Sequence, residues 1–336
     1  MSTLAPPRPS PRTTASAGLR GPARLVVRQH RRAFQLLILL TALTAAGLVA
    51  VALWAGHDAD VFARTGCRVD TVTTDACTRS TRAYDDSQYR LNHSLSVVAL
   101  LTAVLSAAYG AFMAGPALAR ELESGTHRLA WTQSVSPARW LTAKLAVPAA
   151  LTVACTLVLT TVCTWFSTRG TLHPLYWHDT SVYGTTGVYP FAQALCGLAL
   201  GTLAGLLLRR AFAAMALAAA AQGIAVHVLQ NVRGHLWPVV HGPYALARSN
   251  PFPRDAWMTE VGYLTGTGER LPMGTCFPIR GKFGDCLDSL GVTRRYADYH
   301  PKSHYWPLQL VESGILLAVA ALAVYAAHRL LRRLHA

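Results

Sequence analysis

Residues 120–144 read RELESGTHRLAWTQSVSPARWLTAK and form a polar interruption between two long apolar runs, residues 95–114 and 145–166. Each run has about the 20 residues that a helix needs to cross a bilayer, so both ends of the polar segment are expected at a membrane. Gly125 can end the first helix, and Ser136, which is followed by proline, can begin the next one. We therefore predict a rigid elbow of helix, short cross-helix and helix below the membrane.

The composition places the whole chain among membrane proteins. Of its 336 residues, 52% are hydrophobic and only 14% are charged, which is too apolar for a soluble protein of this size. Six apolar stretches approach or reach the length of a spanning helix, and they are residues 34–55, 95–114, 145–166, 191–208, 211–229 and 307–327. We predict an all-α polytopic membrane protein with six transmembrane helices.

The net charge of +15 is explained by membrane topology, and a nucleic-acid partner is not needed. Basic residues cluster next to span ends at residues 28–32, 209–210 and 329–333. Such clusters mark the cytosolic side, so both termini are expected in the cytosol and the basic excess is expected to meet anionic lipid. We predict a multi-pass protein of the cell inner (plasma) membrane that binds the lipid membrane and no nucleic acid.

This topology divides the chain into a tail, a short helix and a bundle. The tail, residues 1–18, is rich in Pro, Ser and Thr and is expected to be disordered. Residues 19–33 carry arginines at helical spacing, which predicts an amphipathic interfacial helix, with a solvated basic leader as the alternative. The six-helix domain fills residues 34–336, with outer loops at 56–94 and 230–306 and a cytosolic coupling loop at 115–144.

Two pairs of cysteines lie in the two long outer loops. Cys67 precedes Cys77 by ten residues, and Cys276 precedes Cys286 by the same interval. The outer side of a cell membrane is oxidising, which favours two local disulfides, while four free thiols are the alternative.

Sequence motifs of familiar enzymes are absent. The chain has no G-x4-G-K-[ST] phosphate loop, no H-E-x-x-H and no G-x-S-x-G. His300 and His304 have the spacing of metal ligands on a helix, but Pro301 lies between them and no carboxylate pattern accompanies them. We predict no catalytic residue and no metal site.

Polar side chains inside the spans are costly in hydrocarbon unless they face protein or water. The candidates to line a pathway are Thr102, Ser106 and Tyr109 in the second span and Gln222 and His227 in the fifth. Ordinary hydrogen bonds between helices are the alternative explanation for the same residues.

The fourth span carries a glycine at every fourth position. Gly197, Gly201 and Gly205 form one small-residue face that lets a neighbouring helix approach closely. Packing within the subunit and packing between two subunits both agree with this face.

The polar segment after the second span also carries a family resemblance. Its residues Glu121, Glu123, Gly125, Thr126 and Leu129 resemble the membrane subunit of an ABC-2-type ATP-binding-cassette exporter. The similarity is strongest to actinobacterial permeases whose inner loop reads much like ELESGTHRLAWTQSVSPARWLTAKL and whose last outer loop ends much like YWPLQ. In topology the resemblance covers most of the chain, whereas its sequence motifs cover only residues 119–145 and 305–314.

The resemblance implies a transport subunit that is not itself an enzyme. In that family the loop after the second span contacts a separate ATPase, which binds ATP and Mg, so no cofactor is expected in this chain. A second permease subunit, identical or different, would complete a central pathway formed mainly by the second and fifth spans. The resemblance assigns ATPase coupling to Glu121, Glu123, Gly125, Thr126, His127, Arg128 and Trp131.

The sequence therefore predicts the membrane-spanning permease subunit of an ATP-driven ABC exporter, which couples a separate ATPase to substrate efflux. The alternative is a polytopic membrane enzyme or sensor that acts through its outer loops. Clustered catalytic geometry in the outer loops would favour the alternative, and a protruding elbow without such a cluster would favour the permease.

Overall fold

The computed structural model describes residues 20–68, 75–125, 136–169, 175–245, 252–276 and 283–335. Within these ranges six helices are long and apolar enough to cross a membrane. They are Arg31–Arg64, Asp75–Glu123, Pro137–Ser167, Tyr189–Leu208, Ala211–His235 and Lys302–Arg333. The prediction of an all-α polytopic membrane protein with six spans is confirmed.

Two helices lie at the start of the described chain and are separated by a break at His30. Helix α1 covers Arg20–Gln29 and α2 covers Arg31–Arg64, with His30 between them. Val26 is the buried side chain of α1, which packs against the start of the third span. The helix predicted near residues 19–33 is therefore present, and its place at a membrane interface stays a prediction.

Helices α2 and α3 extend well beyond their apolar runs. Helix α3 covers Asp75–Ala108, so much of the predicted loop 56–94 is helical. The two extensions pack on each other, as the stacking of Phe62 on Tyr84 at 4.7 Å between ring centroids shows. Polar residues on the exposed sides of this hairpin hide the helical period in the sequence.

A π-helical turn, Tyr109–Ala114, joins α3 to α4, which covers Gly115–Glu123. Pro116 lies directly after this turn and has no backbone N–H, so the regular hydrogen-bond ladder must change there. The second span nevertheless runs as one helical rod of 49 residues from Asp75 to Glu123.

The remaining bundle is organised around the fourth span. Helix α5 covers Pro137–Ser167, and the hydroxyl of Ser136 caps it by accepting the backbone N–H of Arg139 at 3.4 Å, as predicted for this position. The short helix α6 is Thr180–Tyr183, α7 is Tyr189–Leu208 and α8 is Ala211–Val232. Helix α7 is the most buried span, and it contacts α3, α4, α5, α8 and α10, the last of which covers Tyr305–His335.

Residues 236–304, which lie in the predicted outer loop 230–306, carry an antiparallel sheet that the sequence did not predict. The strand order is β1-β4-β2-β3, and Ala297 at the centre of β4 faces Gly242 on one side and Val261 on the other. The elements are β1 Val240–Ala245, β2 Trp257–Thr265, β3 Arg270–Pro272, α9 Phe283–Ser289 and β4 Val292–His300. We call this end of the bundle the sheet end and the opposite end, near Glu121, the elbow end.

Candidate functional site

A cavity of about 850 Å³ lies between α3 and α8 in the half of the bundle nearer the sheet end. Its volume is within the range of pockets that hold drug-sized ligands. Helix α3 supplies one wall from Asn92 to Ala107, α8 supplies the opposite wall, and the segment around Asp179 and α6 closes part of the sheet end. The second and fifth spans therefore enclose a space large enough for a small molecule.

Gln222 braces the inner part of this cavity. Its side chain is 1% exposed, and its amide nitrogen donates to the carbonyl of Gln193 at 3.0 Å and to the hydroxyl of Ser106 at 3.4 Å. These bonds tie α8 to both α7 and α3. Its carbonyl oxygen is buried and has no hydrogen-bond partner among the described residues.

His227 lines the same cavity nearer the sheet end and is exposed. One of its ring nitrogens lies 3.2 Å from the amide nitrogen of Asn231, one helical turn further along α8. Gln222 and His227 thus both line the cavity, the first as a buried and the second as an exposed side chain.

Two other predicted pathway residues line a different space. Thr102 and Tyr109 face a narrow gap of about 10 Å³ between α3, α5 and α7. The hydroxyl of Thr102 donates to the carbonyl of Val98 at 2.8 Å, and Tyr109 is buried. The structure therefore places Gln222 and His227 at the cavity and Thr102 and Tyr109 at the narrow gap. Ser106 is buried beside Gln222 and lines neither space, and the transport role of each residue stays a prediction.

The connection between α5 and α7 is pinned at the sheet end of the cavity by α10. The side-chain oxygen of Gln309 accepts the backbone N–H groups of Val188 at 3.1 Å and Tyr189 at 2.9 Å. Its side-chain nitrogen donates to the carbonyls of Tyr183 at 3.2 Å and Thr186 at 3.3 Å. One buried carboxamide thereby satisfies four backbone groups of a segment that has little regular structure.

A buried ion pair lies beside this segment. Arg233 at the end of α8 donates to both carboxylate oxygens of Glu312 on α10, at 2.6 and 3.2 Å. The Arg233 guanidinium carbon also lies 3.7 Å from the centre of the Tyr183 ring. The sequence analysis missed Arg233, although an arginine directly after an apolar run was a visible signal.

Glu121 at the elbow end joins three helices. Its carboxylate forms an ion pair with Lys144 of α5 and accepts a hydrogen bond from the side-chain amide of Gln29 of α1 at 2.9 Å. The Lys144 side chain is 8% exposed and that of Glu121 is 18% exposed, so this contact is largely inside the protein. Glu121 therefore holds the end of the second span to α1 and to the third span.

The other predicted coupling residues differ from Glu121 in their surroundings. Glu123 is exposed at the end of α4, and Gly125 has a φ of +70°, which fits the predicted helix stop. Thr126, His127, Arg128 and Trp131 lie outside the described residues. The assignment of ATPase coupling to this set stays a prediction.

Both predicted disulfides are present, Cys67–Cys77 and Cys276–Cys286. The first joins the tips of the α2–α3 hairpin, and the second joins α9 to the short helical turn after β3. The bridged cysteines agree with the prediction that both loops fold in an oxidising compartment.

The sheet carries a polar cluster centred on Asp298 of β4. One of its carboxylate oxygens lies 2.7 Å from the Nδ1 of His241, and the other accepts a hydrogen bond from Arg270 at 2.7 Å. Burial raises the pKa of Asp298, but the bonds to His241 and Arg270 outweigh it, so the pKa lies below its usual value. The nearby Tyr296 hydroxyl donates to Glu260 at 2.6 Å and not to His241, and so the cluster lacks an activated nucleophile.

The part of the chain that the structure describes contains no group of three or more His, Cys, Asp or Glu side chains that could hold a metal ion. His300 and His304 do approach each other, with their Nδ1 atoms 3.0 Å apart. The pair alone does not provide the three or four ligands that protein metal sites use.

The chain matches a known protein family. A family model described as ABC-2 membrane transporter related matches residues 38–233, which is more than half of the chain and reaches from within the first span to within the fifth. Neither the curated proteins nor the solved structures include a match to this chain.

Proposed function

The chain belongs to the ABC-2 membrane transporter related family, and from this premise we propose that it is the permease subunit of an ATP-driven exporter. In this role it provides the pathway across the membrane, and a separate ABC ATPase binds ATP and Mg and supplies the energy. Both termini and the elbow end face the cytosol, the sheet end faces outward, and the protein sits in the cell inner membrane.

The observation that carries this proposal is the continuity of the second span. The same rod, Asp75–Glu123, lines the cavity with α3 and ends at the predicted coupling segment. From Ala107 at the cavity to Glu123 is about 24 Å at the rise of an α-helix. A rigid rod transmits a displacement at one end to the other, so movement of the elbow reaches the cavity wall.

The Glu121 contacts extend this movement to two further helices. Because Glu121 binds Lys144 and Gln29, a push on α4 also moves α5 and α1. Glu121 then transmits the movement inside the subunit, while the exposed Glu123, together with residues 125–131, meets the ATPase. A second permease subunit, identical or different, completes the pathway.

The test is an affinity pull-down of the detergent-solubilised chain from its native membrane, followed by mass spectrometry. We expect recovery of a P-loop ATPase with the wild-type chain and its loss with Glu123→Lys. Glu269→Lys at the sheet end is the matched control, because Glu269 is also exposed and lies on the opposite side of the bundle. Size-exclusion chromatography of each variant shows whether the bundle is intact.

Recovery of the chain alone, in a detergent that preserves such complexes, would favour the membrane enzyme or sensor that acts through the sheet end. Equal recovery of the ATPase with wild type and Glu123→Lys would remove Glu123 from the contact and leave the permease assignment in place.

A further inference from the structure

We propose that the cavity between α3 and α8 binds an amphipathic organic cation and that Asp179 selects its charge. This inference rests on the proposed function, because it names the substrate class of the same pathway.

The cavity lining mixes apolar and polar side chains. Leu100, Val104 and Ala107 of α3 and Val226 of α8 are apolar members of it, and Gln193 and Gln222 are polar members. A ligand that is apolar over part of its surface and polar over the rest matches this mixed lining. The cavity therefore fits an amphipathic molecule.

The charged groups at the cavity have one sign. Among the described residues that line it, Asp179 is the one carboxylate and none is Lys or Arg. This contrasts with the whole chain, which has 31 Lys and Arg against 16 Asp and Glu. A lining with a carboxylate and without lysine or arginine, in such a basic protein, disfavours an anionic ligand and favours a cation.

The charge of Asp179 is not neutralised by its immediate neighbours. One carboxylate oxygen accepts the backbone N–H of Tyr176 at 2.7 Å, and the other lies 3.9 Å from the Nδ1 of His178. Burial lowers the pKa of His178 against the opposing effects of Asp179 and Asp255, so its imidazole is neutral at pH 7. The Asp179 side chain is 36% exposed, which leaves the carboxylate accessible to a ligand.

The experiment compares three probes of similar shape and different charge on the full chain in nanodiscs of zwitterionic lipid. The probes are tetraphenylphosphonium, a cation, tetraphenylborate, an anion, and triphenylphosphine oxide, which is neutral. Empty nanodiscs measure partitioning of each probe into lipid. We expect saturable binding of the cation and of the neutral probe above this background, with the cation bound more tightly, and no saturable binding of the anion.

Substitution of Asp179 tests the charge selection. We expect Asp179→Asn to weaken binding of the cation about fivefold at low ionic strength and to leave the neutral probe unchanged, because a partly exposed pair contributes modestly. Asp179→Glu keeps the charge and is expected to keep the preference. Asp288→Asn is the matched control, since Asp288 is an exposed carboxylate of α9 outside the cavity.

A salt titration of the wild-type chain tests the same point without any substitution. Raising the ionic strength from about 0.02 M to about 0.5 M should weaken binding of the cation and leave the neutral probe unchanged. Saturable binding of the anion as tight as that of the cation, or a cation affinity that neither Asp179→Asn nor salt changes, would overturn the proposal.

The proposed function is tested separately. Probe binding needs no ATPase, and recovery of the ATPase needs no probe. An ATPase that is recovered with a chain that does not prefer the cation would overturn this inference and leave the permease assignment standing. Preference for the cation in a chain that recovers no ATPase would support the cation site and count against the permease assignment.

Discussion

Arg233 and Glu312 form a two-point ion pair in which the arginine side chain is 5% exposed and the glutamate side chain is fully buried. The pair joins the end of α8, which lines the cavity, to α10, which holds the α5–α7 connection through Gln309. A buried charge that has lost its partner is much less favourable than the intact pair. The sheet end of the bundle therefore depends on both residues together.

Removal of one member of this pair should destabilise the protein strongly. We expect Arg233→Met to lower the free energy of unfolding by about 3–5 kcal/mol, because Glu312 would remain buried without its partner. The double change Arg233→Met with Glu312→Leu should recover a large part of this loss. Unfolding in detergent measures the free energies of unfolding of the single and the double variant. The exposed Arg254→Met is the control. A single variant as stable as the control would show that the pair is not buried in solution.

The contact between Glu121 and Lys144 should have a measurable coupling energy. A double-mutant cycle with Glu121→Gln and Lys144→Met is expected to give about 1–3 kcal/mol, since both groups are charged and largely shielded from water. Glu123→Gln should not change stability, because Glu123 is exposed. A coupling energy near zero would mean that Glu121 is free to contact a partner protein instead.

The glycine face of α7 should not tolerate a methyl group. A Cβ at Gly197 would overlap the carbonyl oxygen of Ser106, and one at Gly201 would overlap the backbone of Gly110. We expect Gly197→Ala to destabilise the chain by about 1–3 kcal/mol through overpacking. Gly47→Ala in α2 is the control, since a Cβ there meets nothing within 4 Å and should be neutral or slightly stabilising. Thermal unfolding of the two variants distinguishes them.

This close approach also answers the question that the glycine repeat left open. The glycines of α7 pack against Gly110 and Gly115 of the same chain, at and just after the π-helical turn. The face is thus occupied within the subunit. An equal stability of Gly197→Ala and Gly47→Ala would contradict this packing.

The disulfide near the sheet should stabilise the sheet and nothing else. Cys276 and Cys286 are 10 residues apart, and a loop of this size is worth about 2–3 kcal/mol in the chain-entropy estimate. We expect Cys276→Ser with Cys286→Ser to speed hydrogen exchange of the β4 amides. The corresponding change at Cys67 and Cys77 should leave β4 exchange as in wild type, because that bridge joins α2 and α3. Equal hydrogen exchange of the β4 amides after the two double substitutions would mean that the Cys276–Cys286 bridge does not stabilise the sheet locally.

The sheet end should lose stability in mild acid through His300. The imidazole is fully buried, with Nε2 3.1 Å from the carbonyl oxygen of Gly234. Burial lowers the pKa of His300 below 6.5, the Gly234 bond opposes this, and His304 and His235 lower it further. A lowered pKa means that the unfolded chain takes up the proton first, so this stability is present above pH 6.5 and is lost as the pH falls through the native value.

The measurement is the unfolding midpoint between pH 8 and pH 5 for wild type and His300→Asn. We expect the unfolding midpoint of the wild-type chain to decrease when the pH is lowered below 6.5. The unfolding midpoint of His300→Asn should change less over the same range. His93→Asn is the control, because His93 is an exposed histidine on α3. The same pH dependence in wild type and His300→Asn would assign the effect to another group.

The local features of this chain were open to prediction from its sequence. The six spans follow from apolar length, the stop at Gly125 and the cap at Ser136 follow from the conformational preferences of single residues, and each disulfide joins cysteines only 10 residues apart. These properties depend on neighbours along the chain, so the sequence contains all the information they need.

The contacts between distant residues were decided only by the tertiary structure. Gln29 and Glu121 are 92 residues apart, and Arg233 and Glu312 are 79 apart, so no local pattern identifies the partners. The sheet pairs Gly242 with Ala297 across a long connection, and the predicted pathway residues are divided because helix rotation turns Thr102 toward α5 and Gln222 toward α3. Sequence length and polarity determined which segments cross the membrane, whereas packing determined which faces meet, because burial is a property of the whole assembled bundle.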